Sequence, residues 1–170
     1  SYAAWADKYE GRVHQPPMRG LALAIPEPFG VMGVVASDDE PLLGLLSMIL
    51  PCIALGNRVV AVPSLKAALI VAEFYQLLDT SDVPGGVINL VTGVPSELAT
   101  VLAAHDDVAA IWAVGPADEC EQIKKESAGN LKSVWTSDGK SPDWYDSQAE
   151  GSSWLERATQ VKNIWVPYGE

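Results

Sequence analysis

Few residues in this chain are equipped for chemistry, and they stand apart. His14 and His105 lie far from each other in sequence. Cys52 sits in an apolar run, where a small core role fits it. It and Cys120 are the only cysteines, and without a short spacing they give neither a metal motif nor a disulfide framework. The acidic turn Asp38-Asp39-Glu40 offers oxygen ligands for a hard cation, but a solvated turn capping the next helix is the plainer expectation. No GxGxxG is present. Two other glycines follow strand-like runs. Gly93 leads into Val94-Pro95 and Gly115 into Pro116, and a proline there removes an N–H that a phosphate would need. Asp118 and Glu119 add negative charge at the same place and also suit a helix N-terminus.

The elements that must position these residues alternate along the chain. Residues 31–36, 59–62, 87–91 and 109–114 are β-branched, apolar runs expected to be buried strands. Residues 42–55 are apolar on nearly all sides, so a helix buried against a sheet is expected, with Gly56-Asn57 as its stop. Residues 66–78 place Ile70, Val71, Phe74, Leu77 and Leu78 at helical spacing, one face toward a sheet. Ser96 is the expected N-cap of a helix over 97–104, and 118–127 reads as a polar surface helix. This rhythm predicts an α/β fold, a Rossmann-type, mostly parallel sheet with helices on both faces.

Both ends break the rhythm. Pro16, Pro17, Pro26 and Pro28 surround an extended run over 21–25, which suggests a hairpin outside the main sheet. The last run, 160–166, alternates well enough for a strand ended by Pro167. The expected organisation is a β-flap from 9–28 and 159–168, a Rossmann-type domain over 29–142, and a polar connection over 143–158. Six tryptophans are many for 170 residues. Trp112, Trp135 and Trp165 fall in strands, as core or interface residues. Trp144 and Trp154 fall in the polar connection, where exposure would suggest a docking surface.

The bulk properties bound the function. A chain of 170 residues folds without metal or disulfide. A net charge of −11 argues against nucleic-acid and anionic-membrane partners, which require clustered Lys and Arg. The apolar run over 42–55 is too short to span a bilayer. No basic, apolar leader opens the sequence and cysteines are few, so a reducing, cytoplasmic location is expected.

Several segments carry a resemblance to a family. Residues 27–33 (EPFGVMG), 84–93 (PGGVINLVTG), 130–132 (NLK) and 139–142 (GKSP) are similar to the cofactor domain of aldehyde dehydrogenases. Residues 2–11 resemble the segment before the family's oligomerisation hairpin, and 159–168 its C-terminal oligomerisation strand. His105 also stands where that family commonly has a histidine.

The functional positions implied by the resemblance depart from it. Asp39 falls where an asparagine would hold the oxyanion. In place of the family's lysine-proline-serine-glutamate segment, which grips the cofactor's ribose, stands Val62-Pro63-Ser64-Leu65. The pyrophosphate-facing threonine-glycine-serine turn becomes Val114-Gly115-Pro116, and the adenine-lining glycines fall on Pro95 and Ala99. Thr136 replaces the glutamate base and Asp138 a glycine beside it. No cysteine follows Pro142, and the catalytic domain that would carry the nucleophile is absent.

The resemblance therefore implies a non-catalytic unit like the C-terminal region of family 16 aldehyde dehydrogenases. It would bind no cofactor and no metal and would serve assembly within an NAD-dependent parent. The partners implied are a catalytic aldehyde dehydrogenase domain or subunit and further copies of the chain. A nucleotide-binding regulatory domain and a fragment of an active enzyme are the alternatives.

Overall fold

The computed structural model describes residues 2–168, apart from the side chains of residues 67 and 68. Five parallel strands form its main sheet. They are β3 (Val31–Val35), β4 (Arg58–Val62), β5 (Ile88–Leu90), β6 (Ala110–Ala113) and β7 (Ser133–Thr136). Their order is β5-β4-β3-β6-β7, so the connections run outward in both directions from β3. That reversal opens a crevice at the strand C-termini, between β3 and β6.

Alternation along β3 sends its side chains to two faces. Met32 and Val34 join Met48, Ile49 and Cys52 of helix α1 (Pro41–Ala54), with Val59, Ala61 and Trp112 of neighbouring strands. Val35 joins Val62, Ile111 and Ala113 beneath Ala99 and Ala103 of α3 (Pro95–Ala104) and Ile123 of α4 (Ala117–Glu126). Gly33 lies between Ile111 and Leu102, where a Cβ would stand 3.3 Å from Ile111 Cγ1. Gly56, in the left-handed region at φ +89°, turns the chain out of α1 as expected.

Two helix expectations are corrected. Helix α3 begins at Pro95, and its N-cap is Val94, with no side-chain cap. Proline presets the first helical φ and forces extended backbone on the residue before it, so Ser96 falls inside the helix. Helix α2 (Ala68–Thr80) begins after a 3-10 turn at Leu65–Ala67. Its inner stripe is Val71, Phe74 and Leu78, whereas Leu77 falls on the flank and is 65% exposed.

The flap is a separate antiparallel sheet in the order β1 (Arg12–His14), β2 (Gly20–Pro28), β8 (Thr159–Pro167). Its register pairs Val13 with Leu23, Leu23 with Ile164 and Leu21 with Val166, which gathers aliphatic side chains on one face. The other face sets Trp165 opposite Ala22. Trp165 is 61% exposed, so it contributes nothing to the core.

The largest correction concerns residues 143–158. This strap is no polar connection. It contains a 3-10 turn at Ser147–Glu150 and helix α5 (Ser152–Arg157). Trp144, Ala149, Trp154, Leu155 and Ala158 are all buried in the α1-side core. Trp154 packs edge-on to Trp112 and Trp135, with ring centroids 5.2 and 4.9 Å away. The exposed tryptophans that would have marked a docking surface here are inside. Each indole buries about 150–250 Å² and outweighs the small polar residues around it.

Candidate functional site

The crevice between β3 and β6 holds a cavity of about 470 Å³. Val35, Ala36 and Val114 form its base. The turns after β3 and β6 and the start of α3 form its rim. Position and size suit a nucleotide, so the chemistry of the rim decides what it accepts.

Asp38 does not cap the next helix. Its carboxylate reaches to the turn after β4, accepts a hydrogen bond from Ser64 Oγ, and pairs with Lys66 Nζ at 3.3 Å. Ser64 is buried, and its Oγ also accepts from the Lys66 N–H at 3.1 Å. The Ser64 hydroxyl, and after it Lys66, hold the Asp38 carboxyl below the usual carboxylate range. Two adjacent βα turns are thus tied together across the rim. Ser37 Oγ accepts from the Asp39 N–H at 3.3 Å. Of the expected acidic turn, Glu40 takes the N-cap position of α1, in left-handed backbone at φ 47° and without a side-chain cap bond. Glu40 Oε2 accepts from Tyr145 Oη at 3.0 Å, which raises the tyrosine's pKa.

On the β6 side, Gly115 N–H donates to Ser137 Oγ at 3.2 Å, and Gly139 N–H donates to the Gly115 carbonyl at 3.1 Å. The backbone donor a phosphate would meet at Gly115 is already taken. Pro116 is the N-cap of α4, and Asp118 and Glu119 occupy that helix's first turn. Pro41 and Pro95 open the other two helices at the crevice. Anion binding at a helix start relies on free N–H groups and positive potential. Here the prolines remove N–H groups, and Asp38, Asp39 and Glu119 line the rim.

Thr136, at the position implied for the general base, donates from Oγ1 to Asp138 Oδ1 at 2.7 Å. Lys124 Nζ meets the same oxygen at 2.6 Å. Lys124 first, then Thr136, hold the Asp138 carboxyl below its usual range. Asp138 adopts φ 50° and Gly139 φ 81°, so this turn keeps a glycine-like backbone although only one glycine remains.

Both cysteines are buried. Cys52 is fully buried, its Sγ donates to the Met48 carbonyl at 3.1 Å, and burial pushes its thiol pKa up. Cys120 is also buried, beside the Gly115 carbonyl. His105 shapes its own loop by accepting the Asp107 N–H on Nδ1 at 3.2 Å, and His14 lies exposed on the flap. No group of His, Cys, Asp and Glu among the described residues could hold a metal ion. No described helix is long and apolar enough to cross a membrane.

The sequence missed the Asp38–Ser64–Lys66 tie, the Ser137–Gly115 bond and the Tyr145–Glu40 bond. Each joins turns that are adjacent only once the strands have paired, and no spacing in the chain signals them.

The strand order with its crevice, and the outlying antiparallel flap, define a Rossmann-type domain carrying a three-stranded appendage. The sequence profile of the aldehyde dehydrogenase family matches residues 1–158, and the chain belongs to that family. It is 34% identical over 142 residues to hydroxyisobutyraldehyde dehydrogenase of Mycolicibacterium austroafricanum, a match covering 83% of this chain and 28% of that protein. It is 33% identical over 139 residues to the NADP/NAD-dependent aldehyde dehydrogenase PuuC of Escherichia coli, covering 81% of this chain and 28% of that protein. Among solved structures it superposes on PnpE from Pseudomonas sp. WBC-3 with a TM-score of 0.75 and 29% identity, covering 79% of this chain and 28% of that one. The chain thus spans little more than a quarter of these relatives' length.

Proposed function

We propose that this chain is a non-catalytic aldehyde dehydrogenase-like unit that serves assembly. It would dock on a catalytic aldehyde dehydrogenase domain or subunit in the cytoplasm, and on further copies of itself, while the partner supplies NAD and the nucleophile. The observation that carries the reading is the crevice rim, whose polar groups are tied to one another. Asp38 is tied to Ser64 and Lys66, and the Gly115 N–H to Ser137, while Thr136, at the implied base position beside the crevice, is tied to Asp138. A phosphate arriving there would meet carboxylates and prolines in place of donors. Val62 and Leu65 add no hydrogen bond to a ribose.

The docking surface is the flap. Strand β8 is an edge strand, and an unpaired edge recruits strands by backbone hydrogen bonding. Val13, at 67% exposure, and Val166, at 43%, belong to the open aliphatic face beside it. The incomplete second dehydrogenase unit of family 16 enzymes is the arrangement this most resembles.

The test is a calorimetric titration with NAD, together with a steady-state assay for NADH using aliphatic aldehydes. The expected result is no binding in the micromolar range and no turnover by this chain alone. Micromolar NAD affinity without turnover would replace the assembly reading with a nucleotide-sensing one, which the open volume of about 470 Å³ favours. Turnover abolished by a substitution in this chain would refute both.

A further inference from the structure

Beyond the docking role, we propose that a second cavity, walled by the strap and β7, binds a small zwitterion of the amino-acid class, with one carboxylate and one ammonium group. This cavity measures about 460 Å³ and shares no wall residue with the strand-end crevice. Trp135, Trp154 and Arg157 form one side, and Asp143 and Asp146 also line it.

The guanidinium carbon of Arg157 lies 5.6 Å from the ring centroids of both Trp135 and Trp154. The two indoles are inclined at 71° to each other, so the cation sits against a corner. Trp154 is itself fixed, being buried with Nε1 donating to the Gln148 carbonyl at 3.2 Å. Contact with two indoles immobilises the guanidinium plane and leaves its N–H groups for an acceptor. Among the described residues Arg157 makes no ion pair and no hydrogen bond. Its donors are therefore positioned but unclaimed, as bidentate recognition of a carboxylate requires.

The acids are held separately. Asp143 Oδ1 accepts the Tyr145 N–H at 3.0 Å, and Asp146 Oδ1 accepts the Gln148 N–H at 2.8 Å. Each keeps Oδ2 unengaged. Charges of both signs line one cavity, yet turns fix the carboxylates and indoles fix the cation, and no ion pair forms between them. A simple anion would meet the two carboxylates and a net chain charge of −11. A simple cation would meet Arg157. A molecule with opposite charges at its two ends satisfies both.

The test titrates the full chain with glycine, 4-aminobutyrate, acetate and butylamine, reading tryptophan emission and heat. At least one zwitterion is expected to saturate with a Kd at least tenfold below those of acetate and butylamine. Arg157→Met, which keeps an apolar stem on the indoles, is expected to weaken that binding at least tenfold, and Asp143→Asn to weaken it too. Should Arg157→Met fail to fold, Arg157→Lys replaces it, since it keeps the charge but loses the bidentate fork, and weakened binding is again expected. The proposal is overturned if neither zwitterion saturates, if acetate or butylamine binds as tightly, or if the Arg157 variant binds unchanged.

Discussion

Replacing Asn57 by alanine should be among the most damaging single changes in this chain. Asn57 is 1% exposed and sits between α1 and β4. Its Nδ2 donates to the Cys52 carbonyl at 3.1 Å and to the Ala158 carbonyl at 2.8 Å. Its Oδ1 accepts the Gly30 N–H at 3.1 Å. One side chain thus ties the end of the buried helix, the lead-in to β3, and the residue before β8. A net hydrogen bond contributes about 0.5–1.5 kcal/mol, so three give about 1.5–4.5 kcal/mol. Cys52 O keeps the backbone donors of Leu55 and Asn57, which lowers its share of the loss. Gly30 N–H and Ala158 O lose this partner in a water-poor site, which raises theirs. The expected cost is about 3 kcal/mol by urea unfolding, or a Tm lower by about 6–12 °C for a domain of this size. Hydrogen exchange should quicken first at the start of β8. Asn57→Asp should be worse at neutral pH, because it aims a carboxylate at two carbonyls, and should recover partly as acid protonates it. A loss below about 1 kcal/mol for Asn57→Ala would refute the reasoning, since it would mean the three bonds exchange with water at no net cost.

Other expectations follow from the same geometry. A Cβ at position 44 would stand 2.9 Å from Trp144 Nε1, so Gly44→Ala should cost about 1–3 kcal/mol in denaturant unfolding. Burial, and after it the charge of Glu150, pushes the Tyr2 hydroxyl up to about 12 from 10.0. The folded pKa is the higher one, so this contribution is complete below pH 10 and is lost as pH rises toward 12; Tyr2→Phe should flatten that decline in alkaline urea titrations. Lys132 Nζ donates to the Leu102 and His105 carbonyls at 3.3 and 2.7 Å at the end of α3, so Lys132→Met should cost about 1–2 kcal/mol, measured by thermal unfolding. Deleting 159–170 should abolish association with a catalytic partner in light scattering while leaving the parallel sheet folded; assembly that survives the deletion would remove the docking role.

The strands at 31–36, 59–62, 87–91 and 109–114 and most helices were legible because burial on two faces demands continuous apolar runs. The flap was legible because prolines at 16, 17, 26 and 28 argue against a strand of the parallel sheet, although Pro26 and Pro28 fall within β2, the middle strand of the flap. The strap was not. Its composition is dominated by Ser, Asp and Glu, yet Trp144, Trp154 and Leu155 set its fate, and a mean over the segment hides three large side chains. The crevice was legible as a list of missing groups. What replaced them was not, because Asp38 finds Ser64 only after β3 pairs with β4 in register.

On the proposed assembly role, that difference bears on how such a site would lose its chemistry. Backbone geometry is held by the sheet, since Asp138 keeps the left-handed turn at φ 50° even without a glycine, at a cost of about 1–2 kcal/mol. Side-chain chemistry has no such support. A charged or hydroxyl group at the rim that faced no ligand would be free to pair with its neighbour, and the buried Ser64 would gain most, because an unpartnered polar group there is costly. Ser64 with Asp38, Ser137 with Gly115, and Thr136 with Asp138 are the pairs that result. Each pair makes a ligand's return harder, since a phosphate must now break an internal bond before making its own. On the proposed assembly role, a lysine placed at Val62 alone would therefore not confer nucleotide binding. The ties at Asp38 and Gly115 would still engage the rim's polar groups, and the three prolines would still withhold their donors.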